Sequence, residues 1–149
     1  MATQQLLSTR TSLAYNATDL STLASGTYVR NTTAYPCTTN KPQDVIIEVE
    51  AATTNTPSGN KKLDVFIQES LDGTNFRGGP ISGTTTTREL NLKRIGSLPV
   101  TTASTTERGF FSVQSVLGYV PYAFYVVIKN DLGVALTSGV VYTSEVAFQ

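Results

Sequence analysis

Between residues 44 and 51 apolar and polar side chains alternate: Val45, Ile47 and Val49 fall on one side, Glu48 and Glu50 on the other. A period of two predicts a strand with one dry face and one wet face. The run KLDVFIQES, residues 62–70, repeats the pattern, with Leu63, Val65 and Ile67 inward and Asp64, Phe66 and Gln68 outward. Phe66 is thereby an aromatic on an outer face and a candidate subunit contact. From Tyr122 to Ile128 nearly every position is apolar. That strand has no wet face, so a loop, an arm or a neighbouring subunit must cover its second side. Further strands are expected at residues 26–31 (GTYVRN), around Arg88 to Ile95, and at residues 139–148, and the stretch GFFSVQSVLGYV contributes Phe110, Phe111, Val113 and Val116.

Turn chemistry separates these runs every eight to fifteen residues: NTPSGNKK, the dipeptide Asp72-Gly73, and NDLG. The tract Thr84 to Thr87 fits either an edge strand or an extended loop, since β-branched side chains favour extended backbone. Short β-rich runs at this spacing predict an all-β fold, a single antiparallel β-sandwich, jelly-roll or immunoglobulin-like, of about seven or eight strands with no long helix.

Residues 1–25 differ in character from residues 26–149, which form the predicted sandwich domain. They are dominated by Thr, Ser, Ala, Gln and Leu, with only a weak helical spacing through Leu13, Leu20 and Leu23. Such a segment buries too little apolar surface by itself to offset its ordering entropy. The reading is an N-terminal extended arm or short helix, either frayed or held by another surface. Leu6, Leu7, Leu13, Tyr15, Leu20 and Leu23 are the side chains with which it would grip.

Composition narrows the chemistry. The chain has no His and no Trp, one Cys and twenty-four Thr among 149 residues. Without His there is no self-contained Ser-His-Asp or Cys-His machinery and no His-ligated zinc, so a non-enzymatic binding or structural role is expected, with no cofactor and no metal. Cys37 has no intrachain partner and is read as an inert small residue. Eleven basic and eleven acidic side chains cancel, which gives nucleic-acid binding little electrostatic support. No apolar stretch approaches the roughly 20 residues of a membrane helix, and MATQQLLSTR lacks the plan of a signal peptide. No membrane partner and no secretion by a signal peptide are expected. Asn16-Ala17-Thr18 and Asn31-Thr32-Thr33 are read as chance glycosylation matches in a Thr-rich chain.

Carboxylate pairs can work without His, which brings Glu48, Glu50, Asp64, Glu69 and Asp72 into consideration; for Glu48 and Glu50 the wet face of a strand is the favoured reading. Asp72-Gly73-Thr74-Asn75 is too short for a twelve-residue calcium loop and reads as a tight turn. Gly78-Gly79-Pro80 lacks the ending of a phosphate loop. Tyr119, Tyr122, Phe124 and Tyr125 fall within seven residues and suit a half-buried contact surface or sugar stacking.

The phrase DVFIQESLDGTNF, residues 64–76, and the ending YAFYVVIKNDLGVALTSGVVYTSEVAF together resemble the small β-sandwich proteins of tailed-bacteriophage particles. There a strand of the type V-x-V-Q-x-S-x-D-G-x-x-F precedes a hairpin, and a later strand Y-x-x-V-x-x leads into a Gly-containing turn. The match covers about a third of the chain. It implies a virion structural protein of the capsid decoration (cement) type, a homo-oligomer and most simply a trimer, made in the host cytoplasm, that binds the major capsid protein or another virion protein and stiffens the shell. Phe66, Tyr119, Tyr122, Tyr125 and Val127 are the expected oligomer or partner surface, and the segment from Leu6 to Leu23 is the expected capsid-gripping arm. The alternatives are a carbohydrate-binding or adhesin-type sandwich, against which the absence of Trp counts, and a head-completion or tail protein.

Overall fold

The computed structural model describes residues 5–80, 83–86 and 91–148. Strand β5 (Asp44–Ala52) carries the cleanest alternation in the sequence and lies inside its sheet. It pairs on one side with β11 (Ser138–Phe148), from Ser138 opposite Ala52 to Val146 opposite Asp44, and on the other with β9 (Glu107–Ser112). Two short strands, β1 (Gln5–Leu7) and β2 (Thr11–Ser12), add to the far edge of β11. In the second sheet β10 (Ala123–Asn130) runs between β6 (Lys62–Ser70) and β3 (Tyr28–Arg30). Outside these lie β8 (Lys93–Pro99) against β6, β7 (Thr84–Thr85) against β3, and β4 (Tyr35–Pro36) at the start of β10.

All these pairings are antiparallel, and the two sheets face each other across one core, as the sandwich pattern requires. Val45, Ile47 and Val49 meet Leu63, Val65, Ile67, Phe124, Val126 and Ile128, all essentially inaccessible to water. Each such side chain contributes about 1.5–3 kcal/mol by leaving water. Phe111 lies over Gly96 and Gly109, where a methyl group at Gly96 would sit 2.4 Å from the ring. The pairing of β5 with β9 and of β6 with β10 is that of strands B–E and C–F in an immunoglobulin sandwich. The outer strands are exchanged: β3 joins β10 and β11 joins β5.

Seven strands, β3, β5, β6, β8, β9, β10 and β11, make up the body that the pattern predicts; β1, β2, β4 and β7 are pairings of two or three residues that no periodicity can reveal. Thr84 and Thr85 form an edge strand, while Thr87 lies outside the described residues. The strand expected from Arg88 is Lys93–Pro99, with residues 88–90 outside the described ones. A five-residue helix, α1 (Val113–Leu117), follows β9, where no helix was expected.

Two expectations require correction. The segment up to residue 25 is not a free arm, because Leu20 and Leu23 are core residues, 4% and 1% exposed. The Leu23 carbonyl accepts from Leu136 N–H at 3.0 Å and from Asn130 Nδ2 at 2.7 Å. Leu13 and Tyr15 pack against the same core, and the Tyr15 hydroxyl donates to the Val126 carbonyl at 3.0 Å. Burial pushes the Tyr15 phenol well above its ordinary pKa. Only residues 5–12 lie on the sheet edge as an added strap.

The second correction concerns β10. Its outer face is covered by the chain itself. Val127 is inaccessible beneath Tyr28, Phe66 and Leu92. Tyr125 has the Arg30 guanidinium 3.8 Å over its ring centre and the tilted Phe76 ring at 4.8 Å. Phe66 points outward as expected but packs at 6.1 Å from Tyr28. Val127 therefore has no open surface to offer, while Tyr125 and Phe66 remain half-buried. Gln68, on the same face, is buried, with Nε2 donating to the Arg77 carbonyl at 2.8 Å.

Candidate functional site

The registers that close the sandwich bring three chain reversals to one end. Ser70, the last residue of β6, lies opposite Ala123, the first of β10, which also lies opposite Pro36. The segments 71–76, 118–122 and 37–43 therefore leave the sheets together, beside the start of β5 and the last residues of β11. Leu71 is 74% exposed, Tyr122 49% and Tyr119 42%. Leu6 and Leu7, also exposed, pair with Ala147 and Val146 at this same end. Among the described residues Phe110, in the middle of β9, is the one other large hydrophobic side chain this exposed.

Each side chain is held by local chemistry. The Ser70 hydroxyl accepts from Gly73 N–H at 2.9 Å, and Asp72 Oδ1 accepts from Thr74 and Asn75 N–H, both at 2.8 Å. Asn75 Nδ2 donates to Asp72 Oδ2 at 2.7 Å. Backbone and side-chain donation by Asn75, with help from Thr74 and Ser70, holds the Asp72 carboxyl far below the usual carboxylate range. Gly73 has φ +79°, and a Cβ there would meet the Tyr122 ring at 2.8 Å, so the turn and the seat of Tyr122 both require glycine.

On the facing segment, Ser112 caps α1 by accepting from Ser115 N–H at 3.0 Å, while Asp44 accepts from Gln114 N–H at 2.8 Å. Gly118, at φ +81°, ends the helix and releases Tyr119 to Tyr122 outward. The third segment is tied down by Cys37 N–H donating to the Tyr122 carbonyl at 3.0 Å and by Glu145, which accepts from Tyr35 and Asn40 at 2.7 and 2.8 Å. Burial, with a smaller contribution from Glu145, pushes the Cys37 thiol up to about 12. It is a packed side chain and a poor nucleophile.

Leu71 forms a ridge between two shallow hollows. One, of about 440 Å³, is lined by Cys37, Pro42, Val120, Pro121 and Tyr122 and is largely apolar. The other, of about 500 Å³, is lined by Glu69, Asp72, Asn75, Phe76, Arg77 and Tyr119. Tyr119 and Tyr122, both expected as contact residues, thus stand on opposite sides of Leu71. Leu71 itself was not expected; its one signal is an apolar residue set inside turn chemistry, Ser70-Leu71-Asp72-Gly73.

The candidate carboxylates go elsewhere. Glu48 and Glu50 share the Arg10 guanidinium at 2.7 Å each, and Glu50 also meets Arg108 at 2.8 Å. Arg10 lies 4.0 Å over the Tyr142 ring. Hydrogen bonds from Arg108 and then Arg10 pull the Glu50 pKa down to about 2. The two form a salt-bridged outer face, and Glu50 has no proton to give at neutral pH. For Asp64, burial works upward, yet hydrogen bonds from Ser97, Arg94 and Lys62 outweigh it and lower the pKa.

Among the described residues no group of three or more His, Cys, Asp or Glu side chains is placed to hold a metal ion. No described helix is long and apolar enough to cross a membrane. No protein-family model matches this chain, and no curated protein matches it in sequence.

Proposed function

We propose that this protein is a non-enzymatic structural component of a tailed-phage particle, of the capsid decoration type, which attaches to the shell by the apolar end of its sandwich. The observation that carries the reading is the concentration of Leu6, Leu7, Leu71, Tyr119 and Tyr122 at one end, with Leu71 on a turn fixed by its own hydrogen bonds. Exposed apolar side chains gathered on rigid loops mark interaction surfaces more than scattered ones do. Rigid loops also lose little entropy on docking.

The partner in this reading is the major capsid protein or another virion protein. The contact runs along Leu71, Tyr122 and the hollow floored by Pro42 and Val120, with the strap from Leu6 to Leu7 beside it. Many copies on one shell make modest single contacts durable through avidity. A trimer is no longer required to cover β10, since Tyr28, Phe66 and Leu92 already do so.

Co-sedimentation with shells lacking the protein tests this reading. The wild-type chain pellets with the shells, and the double variant Leu71→Asp/Tyr122→Asp stays in the supernatant with an unchanged unfolding midpoint. Equal pelleting of both proteins would contradict it.

A further inference from the structure

Strand β9 ends the first sheet with no described strand along its outer side, and we infer that this edge is a self-association surface. On it a second copy of the chain adds its own β9, antiparallel, across a two-fold axis. The sheet edges are not alike. β1 and β7 are pairings of three and two residues. β8 is blunted by Pro99, which has no N–H, by a register shift in its pairing with β6, and by the exposed side chains of Lys93 and Arg94. β9 has six residues, no proline and no register shift, and its outer face presents Phe110, 67% exposed. A bare edge of this kind is a template for another strand.

The registers fix where its free main-chain groups point. In an antiparallel pair, directly opposed residues either exchange both hydrogen bonds or turn their groups away from each other. The Val141 and Glu145 carbonyls accept from Leu13 and Ser8 N–H, both at 2.8 Å, so the odd-numbered residues of β11 turn towards the strap. The even-numbered ones turn to β5, where Glu48 and Glu50 lie opposite them. Ile47 and Val49 therefore turn to β9 and bond Phe111 and Gly109, which leaves the N–H and C=O of Arg108 and Phe110 facing outward. None of these groups has a partner among the described residues.

This edge is complementary to itself. With Gly109 on the axis opposite Gly109 of the second copy, Arg108 stands opposite Phe110 of the second copy, and the reverse holds on the other side. Each such pair exchanges two bonds, so every free group is satisfied at once. Gly109 brings no side chain to the close approach on the axis. On the outer face each guanidinium meets a phenyl ring. Arg108 donates from Nε to Glu50 at 2.8 Å, which balances its charge, while the side chain remains 54% exposed. A foreign strand would match the hydrogen bonds; the reciprocal Arg108–Phe110 contact is what a second copy adds. Such an isologous contact closes at two copies. One short strand from each falls below the roughly 1,600 Å² of a standard interface, so the dimer is reversible. The inference does not rest on the shell-docking reading, which uses the far end of the sandwich.

The test is sedimentation velocity on the isolated full chain from about 10 µM to about 1 mM. The mass climbs from 16.0 kDa towards twice that value as concentration rises. Amide exchange at Arg108 and Phe110 slows over the same range. Phe110→Lys, at an exposed position, weakens dimerisation at least tenfold with an unchanged unfolding midpoint. Phe110→Ser gives the same loss if the lysine variant does not fold. Leu71→Asp/Tyr122→Asp dimerises like the wild type, which separates this edge from the shell-docking end. A mass that stays at 16.0 kDa throughout overturns the proposal, as does a trimer or any self-association that survives both Phe110 variants. Protection of Arg108 and Phe110 that arises only with added shells also overturns it, and would assign the edge to a strand of another protein.

Discussion

Glu50 is the residue whose protonation says most about the outer face of the first sheet. Its folded pKa of about 2 lies below the ordinary 4.5, so the Arg10 and Arg108 contacts contribute in full above about pH 4.5 and are lost as pH falls through about 2. A carbon-detected NMR titration should place the Glu50 midpoint near 2 and show it rising towards 4.5 in Arg10→Ala and Arg108→Ala; a wild-type midpoint near 4.5 would refute the network. Asn130 is the opposite kind of polar residue, fully buried, with Nδ2 donating to the Leu23 and Val134 carbonyls and Oδ1 accepting from Leu132 N–H. Asn130→Ala leaves the Val134 carbonyl and the Leu132 N–H without partners, takes one of two donors from the Leu23 carbonyl, and should cost roughly 3 kcal/mol in chemical denaturation. The alternation in residues 44–51 announced Glu50 as a wet-face residue. Nothing announced Asn130, which reads as part of a turn, because its three partners become neighbours only when the sandwich closes.

At the scale of elements, the N-terminal segment divides in two. Residues 5–12 strap the edge of β11 through β1, β2 and Arg10, whereas Leu20 and Leu23 belong to the core. Removing residues 1–12 should leave a folded but less stable and more aggregation-prone protein, since it bares the edge of an eleven-residue strand. Removing residues 1–25 should abolish cooperative thermal unfolding; a folded Δ1–25 protein would contradict the placement of Leu20 and Leu23. The long strands were legible because burial on one face imposes a period of two, as in β5 and the core face of β6. The all-apolar run in β10 was legible as doubly covered, but its cover was not. Tyr28 and Phe66 come from two strands and Leu92 from the loop before β8, and their convergence is a property of the register.

For the molecule as a whole, the decisive feature is its asymmetry: among the described residues, a self-covered sandwich with every exposed large apolar side chain except Phe110 gathered at one end. Tyr119 and Tyr122 could be picked from the sequence because they cluster with Phe124 and Tyr125 within seven residues. Leu71 and the strap join them only through the pairing of β6 with β10 and of β1 with β11. The account stands or falls on which end meets the partner. The most direct measurement is hydrogen–deuterium exchange of the protein free and mixed with phage shells that lack it, the partner of the proposed function. Attachment by the apolar end predicts added protection in segments 37–43, 71–76 and 118–122, with the amides around Phe110 unchanged. Protection centred on Phe110 and the outer face of β9, with those three segments exchanging as in the free protein, would contradict it.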